Sequence, residues 1–366
     1  MRGLGKIVSR LNALRGSMEA ANSSDDGRLQ DLTGFGPNPG ELDCRIYVPD
    51  SKPSGLVVVL HGCTQNASVY DQGSGWTKLA ERHGFAVLFP QQRRANNANL
   101  CFNWYVPGDA RRDRGEAQSI SQMVRHMASR FGLDRSRTFV TGLSAGGAMT
   151  AVMLACYPEL FAGGAIIAGL PFATADTLPD ALERMRGQGI PHHGELAVLV
   201  RAAAPFEDPA PSLSVWHGTA DTIVDPANAT AIVNQWRGLH ELGGAEGRVE
   251  AVLGHRRQVW VDLHGRPVIE RYDIRGMGHG TPLNTDDSEP CGRPGPHMLD
   301  AGICSTRHIA TFWGLIAQST DLQRLHAPGQ GRAESTVAQM PRAPMPSSGN
   351  VGAIIEDALR SAGLMR

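Results

Sequence analysis

The chain has 366 residues, 41% of them hydrophobic, and a formal net charge of -1. This composition allows a sizeable buried core, arranged as one large domain or two ordinary ones. Lys and Arg (35) nearly balance Asp and Glu (36), so we expect no nucleic acid partner and no recruitment by an anionic membrane. No apolar run reaches the roughly 18 residues that span a bilayer, so no transmembrane segment is predicted.

The first 40 residues are predicted to lie outside the main domain. Residues 6–20 space apolar side chains at helical intervals and predict an amphipathic helix. Such a helix either docks on the body of the protein or gives weak association with a surface. Residues 22–40, rich in Asp, Ser, Gly and Pro, indicate a linker. Residues 1–21 lack the continuous apolar segment of a secretory signal, which favours a cytoplasmic location, with an extracellular one as the alternative.

Predicted strands and helices alternate through residues 41–320. Strands are predicted at 42–48, 56–60, 85–89, 139–141, 164–168, 213–216 and 249–253. Helices are predicted at 76–83, 115–131, 148–155, 227–239 and 307–316, and a β-hairpin at 258–274. Residues 56–60 are continuously apolar, as in a buried central strand. The pattern predicts an α/β protein with a mostly parallel sheet covered by helices on both faces.

Two segments interrupt or follow this alternation. Residues 174–211 contain one predicted helix, at 178–186, and a stretch punctuated by Gly and Pro. We interpret them as a small insertion above the carboxyl edge of the sheet, where it could line a substrate cleft. Residues 321–366 shift to Pro, Gly, Ser and Ala, which predicts a flexible C-terminal tail with a short helix at its end.

The pattern Gly-Leu-Ser-Ala-Gly at 142–146 follows a predicted strand and precedes a predicted helix. This is the context of a nucleophile elbow, in which a serine stands clear of the sheet on a sharp turn. Side chains at Gly142 or Gly146 would crowd such a turn. The pattern therefore predicts Ser144 as a catalytic nucleophile.

A base and an acid follow Ser144 in the order that an α/β-hydrolase triad requires. His279 lies in a glycine-rich loop after the predicted strand 268–274, and Asp221 follows the strand 213–216. We predict that His279 accepts the serine proton and that Asp221 orients the imidazole. Asp225 is the alternative acid, although Asp225-Pro226 is more typical of a helix start.

Hydrolysis of an ester also needs N–H donors for the developing oxyanion. The backbone N–H of Ala145 follows the nucleophile and supplies one. The turn after the strand 56–60 supplies the other, which we assign to Cys63, with Thr64 as the alternative. We interpret His61 as a hydrogen-bonding brace for this turn. Cys63 with His61 as a thiol nucleophile is disfavoured, because adjacent residues rarely pair and no elbow surrounds them.

The six cysteines show no Cys-x-x-Cys pair, and His192 and His193 are adjacent rather than four residues apart. No metal site is predicted. We interpret most of the cysteines as buried thiols. Cys291 and Cys304 differ because they bracket a Gly- and Pro-rich loop that a disulfide could staple, although a cytosolic location would argue against the bridge.

Five blocks of sequence together resemble the PHB depolymerase family of esterases, over roughly residues 42–315. The blocks are LHGCTQ (60–65), CFNW (101–104), GLSAGGAM (142–149), WHGTAD (216–221) and MGH (277–279). The resemblance implies a cofactor-free serine hydrolase of α/β-hydrolase fold, with Ser144, Asp221 and His279 as the triad. It further implies Cys63 and Ala145 as oxyanion donors. Trp104 then resembles an aromatic wall of the ester cleft, for which core packing is the alternative.

The sequence thus predicts a carboxylic ester hydrolase that forms an acyl-serine intermediate. The family contains depolymerases of poly(3-hydroxybutyrate) and esterases of acetylxylan and feruloyl groups, and both substrate classes stay open. Hydroxyalkanoate or short-chain esters are the first expectation, and a carbohydrate esterase is the alternative. A non-catalytic protein that binds granules or lipid through residues 6–20 is a third hypothesis.

Overall fold

A computed structural model describes residues 27–204, 210–286 and 290–317 of the chain. The strands are β1 (Gln30–Asp31), β2 (Asp43–Tyr47), β3 (Leu56–Leu60), β4 (Ala86–Gln91), β5 (Thr138–Leu143), β6 (Gly163–Ile167), β7 (Ser212–Gly218), β8 (Arg248–Val252), β9 (His255–Val261), β10 (Pro267–Ile274), β11 (Thr281–Leu283) and β12 (Met298–Asp300). The helices are α1 (Ala67–Ser74), α2 (Trp76–His83), α3 (Gly115–Phe131), α4 (Ala145–Cys156), α5 (Leu178–Met185), α6 (His193–Arg201), α7 (Ala227–Leu239) and α8 (Ser305–Phe312).

Ten strands form one sheet in the order β1-β2-β4-β3-β5-β6-β7-β10-β9-β8. The six central strands, from β4 to β10, are parallel, and the strands at both edges are antiparallel. The carboxyl ends of the parallel strands therefore meet at one edge of the sheet, where α/β proteins carry their functional loops. The predicted mostly parallel sheet is confirmed. The strand predicted at 249–253 is observed as β8, which pairs antiparallel with β9 at one edge of the sheet.

Helices cover both faces of the sheet. Strand β3 shows this directly, because all five of its residues are buried. Leu56, Val58 and Leu60 pack into a core that includes side chains of α3, α4 and α7. Val57 and Val59 point to the opposite core, which includes side chains of α1, α2 and α8. Strands buried on two faces read as continuous apolar runs, which is why the sequence identified β3.

The structure differs from the predicted linker at 22–40. Within its described part, residues 27–40, strand β1 pairs with β2, and Leu29 and Leu32 are buried. The Gly40 N–H donates to the Ser119 hydroxyl, and a side chain at Gly40 would collide with the backbone of Glu116. This segment is therefore part of the domain. Its mostly polar composition concealed two buried leucines, Leu29 and Leu32, which flank the edge strand β1.

The predicted insertion contains a second helix, α6, besides the predicted α5. Helix α1 and the small parallel sheet of β11 and β12 were also not predicted. The last predicted helix, at 307–316, is observed as Ser305–Phe312. The predicted N-terminal helix at 6–20 and the predicted tail at 321–366 lie outside the described residues.

Candidate active site

Ser144 lies on the turn between β5 and α4, with φ of 57° and ψ of -117°. This left-handed conformation is uncommon for a residue other than glycine. The turn is held by close backbone contacts. A Cβ atom on Gly146 would lie 2.2 Å from the carbonyl oxygen of Leu60, and a Cβ atom on Gly142 would lie 2.4 Å from the carbonyl oxygen of Gly146. The Ser144 N–H donates to the Ile167 carbonyl at 2.9 Å. The predicted strand–turn–helix is confirmed, and the two glycines are required by space.

Asp221 and His279 come together because β7 and β10 pair in parallel, so the loops that follow them lie at the same edge. The Nδ1 atom of His279 lies 2.8 Å from Oδ2 of Asp221. Both side chains are nearly buried, at 6% and 0% exposure. A hydrogen bond from Nδ1–H to the carboxylate leaves Nε2 as the unprotonated nitrogen, which is the tautomer that a general base needs.

The carboxylate of Asp221 is held by four groups. Its Oδ1 accepts the N–H groups of Ile223 and Val224, each at 2.9 Å. Its Oδ2 lies near both His279 and Nε2 of His217, the latter at 3.4 Å. Burial alone would raise the pKa of Asp221, but the hydrogen bonds from His217 and His279 outweigh burial and hold the pKa below its usual range. The carboxylate therefore stays ionised.

Asp225, the alternative acid, has a different role in the structure. Its Oδ1 accepts the N–H of Ala227 at 2.8 Å, at the start of α7. Its own N–H donates to the carbonyl of Met185. An aspartate in this position satisfies the free N–H groups of a helix end. The geometry thus favours Asp221 over Asp225 as the partner of His279.

His297 also contacts His279 and was not predicted from the sequence. Its Nδ1 lies 3.1 Å from the His279 carbonyl oxygen, and the two rings meet edge to face at 5.6 Å. Its own carbonyl accepts the N–H of Thr281, and its φ is 60°. Burial lowers the pKa of His297. The loop that carries His297 is the Gly- and Pro-rich one between Cys291 and Cys304, which the sequence marked only as a disulfide loop.

The turn after β3 places Cys63 at the same edge of the sheet. The sulfur of Cys63 is bonded to that of Cys101. The Thr64 N–H donates to the Asn99 carbonyl at 2.6 Å, so it is already used. Among the described residues, the Cys63 N–H has no hydrogen-bond acceptor. The structure therefore favours Cys63 over Thr64 as the oxyanion donor, and the disulfide excludes Cys63 as a thiol nucleophile.

His61 braces this turn, as predicted. The Nδ1 atom of its ring lies 2.8 Å from the Gly62 carbonyl oxygen, and Nε2 accepts the N–H of Gln92 at 3.1 Å. The side chain is 1% exposed and packs against Phe102. Burial lowers the pKa of His61 to about 4, so the ring is neutral over the ordinary range of pH. Both nitrogens are occupied, which leaves no lone pair for a second base.

The cysteine predictions are partly confirmed. Cys291 and Cys304 form the disulfide that the loop between them suggested. Cys44 and Cys156 are buried thiols, but Cys63 and Cys101 are not. A signal for this second bridge existed in the sequence: the two residues follow strands β3 and β4, which are parallel neighbours. Loops after neighbouring parallel strands meet at the same edge.

Trp104 is 8% exposed and packs edge to face on Tyr105. It belongs to the larger core and also lines a cavity of about 680 Å³. Phe172, Ala175 and Val198 form part of the same cavity wall. Ser144 and His279 are not among the lining residues. The predicted insertion thus does line a cavity with Trp104, and contact of Trp104 with an ester stays a prediction.

No cluster of His, Cys, Asp and Glu suited to a metal ion occurs among the described residues. Likewise, no helix in the described ranges is long and apolar enough to cross a membrane. The site consists of side chains and backbone N–H groups at one edge of the sheet: a serine with positive φ, a histidine paired with an ionised aspartate, and the N–H of Cys63 on the turn after β3.

Comparison with known proteins agrees with this geometry. The chain is 41% identical over 301 residues to a poly(3-hydroxyalkanoate) depolymerase C of Paucimonas lemoignei, covering 81% of this chain and 72% of that protein. It is 36% identical over 274 residues to acetylxylan esterase A of Aspergillus oryzae, covering 71% and 87%. An acetyl xylan esterase structure from Aspergillus awamori superposes with a TM-score of 0.67 at 26% identity, covering 79% of this chain and 99% of that one.

The family model described as esterase PHB depolymerase matches residues 46–258, more than half of the chain. The matched range contains the Ser144 turn, the Cys63 turn and Asp221, while His279 lies beyond it. The resemblance predicted from the five sequence blocks is confirmed. This chain belongs to the esterase PHB depolymerase family and is a carboxylic ester hydrolase of α/β-hydrolase fold.

Proposed function

We propose that Ser144, His279 and Asp221 form the catalytic triad and that the N–H groups of Cys63 and Ala145 bind the oxyanion. The observation that carries this assignment is the hydrogen bond of 2.8 Å between His279 and the ionised Asp221. It lies at the same sheet edge as the strained turn of Ser144. A serine with no adjacent base is a weak nucleophile, so the pair supplies what the hydroxyl lacks.

The reaction runs in two halves. Ser144 Oγ attacks the ester carbonyl carbon while Nε2 of His279 takes the hydroxyl proton. The resulting oxyanion is stabilised by the two N–H donors. The C–O bond to the alcohol then breaks, His279 protonates the leaving oxygen, and an acyl-serine forms. Water, deprotonated by His279, then attacks the acyl carbon, the bond to Ser144 Oγ breaks, and His279 returns the proton to Oγ as the carboxylic acid leaves. Asp221 stabilises the imidazolium in both halves.

Ser144→Ala tests the nucleophile. Hydrolysis of p-nitrophenyl butyrate should fall by at least about 10⁴-fold, since this variant lacks the attacking oxygen. A fluorophosphonate probe, which reacts with activated serines, should label the wild type and not the variant. A Ser144→Ala protein that kept its far-UV spectrum and its activity would refute the assignment. Asp221→Asn and Asp225→Asn form a matched pair: we expect a loss of about 10⁴-fold in kcat for the first only.

The substrate class is a separate part of the proposal. The relatives are named as a poly(3-hydroxyalkanoate) depolymerase and as acetylxylan and feruloyl esterases. The 41% identity to the depolymerase supports hydroxyalkanoate or short-chain esters as the substrate. The structural likeness to an acetyl xylan esterase supports the carbohydrate alternative. A panel of hydroxybutyrate oligomers, acetylated xylan and methyl ferulate, compared by kcat/KM, decides between them.

We propose further that the chain works in an oxidising compartment. Two disulfides, Cys63–Cys101 and Cys291–Cys304, support the extracellular alternative over the cytoplasmic location. Alkylation of the purified protein under denaturing conditions, followed by intact-mass measurement, should modify two cysteines without reductant and six after reduction. Six modified cysteines without reductant would contradict the proposal.

A further inference from the structure

A buried carboxyl group, that of Glu116 at the start of α3, contacts the loops that hold the Cys63 turn. Its side chain is 1% exposed. One oxygen accepts the side-chain amide of Gln92 at 2.5 Å. The other accepts the backbone N–H of Asn103 at 2.8 Å. Glu116 therefore joins the segment after β4 to the segment that carries Cys101 and Asn103.

The same segments hold the Cys63 turn at two points, and the Gln92 side chain supports one of them. The Gln92 side chain also donates to the Cys101 carbonyl at 3.0 Å. Cys101 is covalently bonded to Cys63. The Asn99 carbonyl accepts the N–H of Thr64, the residue after Cys63. Displacement of the loop over residues 99–103 would therefore displace the Cys63 peptide group.

The carboxyl group of Glu116 is costly to bury. Burial raises its pKa to about 8, and nearby Asp109 adds to the rise, while the hydrogen bond from Asn103 opposes it. An apolar residue would avoid this cost but would leave one N–H of the Gln92 amide and the backbone N–H of Asn103 buried without acceptors. The carboxyl group thus accepts hydrogen bonds from two different loop segments. A shorter side chain would not reach both donors, and an apolar side chain would offer them no acceptor.

We propose that Glu116 is a positioning residue for ester hydrolysis, which fixes the loop over residues 99–103 and thereby places the Cys63 N–H for the oxyanion. The inference rests on the oxyanion assignment made under the proposed function. It concerns a residue that touches neither the ester nor the triad. Its effect should appear in the transition state, where the oxyanion exists, more than in binding of the ground-state ester.

The test compares Glu116→Ala and Glu116→Gln with the wild type on p-nitrophenyl butyrate. Removal of one oxyanion donor costs about 10²–10³-fold in kcat, so displacement by Glu116→Ala should cost about 30-fold or more. KM should stay within about twofold, since the carboxyl group does not contact the ester. Glu116→Gln keeps the volume and one acceptor, so it should recover at least half of the loss on a logarithmic scale. Inhibition by phenylboronic acid, which forms a tetrahedral serine adduct, should weaken in parallel with kcat.

Glu270→Gln is the matched control. Glu270 is also 1% exposed and hydrogen-bonded, to Ser214 and Arg257, on strand β10. The Glu270→Gln substitution should lower stability and leave kcat within about twofold of the wild-type value. Unchanged kcat and boronate inhibition in a folded Glu116→Ala protein would overturn the proposal and leave Glu116 a purely structural residue. If Glu116→Ala does not fold, Glu116→Gln decides by the same two measurements. An active Ser144→Ala protein would instead refute the proposed function itself.

Discussion

The two N–H groups proposed for the oxyanion belong to regions held in opposite ways. Ala145 follows the Ser144 turn, where backbone packs directly on backbone and Gly146 lies against the Leu60 carbonyl. Cys63 lies on a turn held by side chains: a disulfide, a histidine brace and the network of Gln92 and Glu116. We therefore expect substitutions that add atoms to lower activity most in the first region. In the second region, we expect substitutions that remove side-chain atoms to do so.

Addition of one carbon at Gly146 should have the largest effect. A Cβ atom there would lie 2.2 Å from the Leu60 carbonyl oxygen and 2.5 Å from that of His61, so helix α4 or strand β3 must shift. A displacement of about 1 Å can cost 10²-fold in rate, and we expect at least that loss in kcat for Gly146→Ala. Overpacking should also lower the free energy of unfolding by about 3 kcal/mol.

Gly194→Ala in α6 is the control for this change, because a Cβ atom at Gly194 would meet no atom within 4 Å. We expect unchanged activity and equal or slightly higher stability, since alanine favours a helix over glycine. Steady-state kinetics and urea denaturation measure both variants. Normal kcat in Gly146→Ala would show that the turn tolerates expansion.

Removal of the Cys63–Cys101 bridge should have an intermediate effect. The double variant Cys63→Ala, Cys101→Ala keeps the peptide N–H and loses only its covalent support, so kcat should fall by about tenfold. Stability should fall by about 3 kcal/mol. The Cys291→Ala, Cys304→Ala variant should lose similar stability with a smaller change in kcat. Equal losses of kcat in the two double variants would contradict a special role for the first bridge.

The prediction with the smallest effect on kcat concerns stability, which should depend on pH through Glu116. The pKa of Glu116 is raised by burial from 4.5 to about 8. Between these values the native state holds one proton more than the unfolded state. The contribution of Glu116 to the free energy of unfolding therefore falls as pH rises from about 4.5 to about 8, and is constant above.

The glutamine of the Glu116→Gln variant cannot titrate. The stability of the wild type relative to this variant should therefore decrease as pH rises from about 4.5 to about 8. Urea denaturation near pH 5 and near pH 8, with both disulfides intact, measures the difference. A difference that is independent of pH would show that Glu116 titrates normally in the folded protein. The Ser144 turn has no titrating group of this kind, which sharpens the contrast between the two regions.

The region packed by backbone was also the one that the sequence predicted well. Gly142 and Gly146 flank Ser144 at fixed spacing, and β3 is continuously apolar, so local pattern sufficed. Helix α3 was predicted at its observed bounds because its apolar residues recur at helical spacing. The pairing of Asp221 with His279 could be predicted because each residue follows a predicted strand.

Of the side chains that hold the Cys63 turn, the His61 brace was predicted, but the disulfide and the network of Gln92 and Glu116 were not, because they depend on contacts between distant segments. Cys63 and Cys101 are 38 residues apart, and their pairing depends on the parallel register of β3 and β4. Glu116 looked like an ordinary acidic residue in the first turn of a helix. His217 contacts Asp221, and His297 contacts His279, only when β7, β10 and the loop between β11 and β12 are assembled.

Helix α4 has a consequence for engineering. All twelve of its residues, from Ala145 to Cys156, are buried, so the helix that follows Ser144 offers no face that can be redesigned freely. The cavity beside Trp104 is different, since its wall includes Val198, which is 60% exposed. Substitutions in that wall should therefore be tolerated more readily than substitutions in α4, and they leave Ser144 and His279, which do not line the cavity, in place.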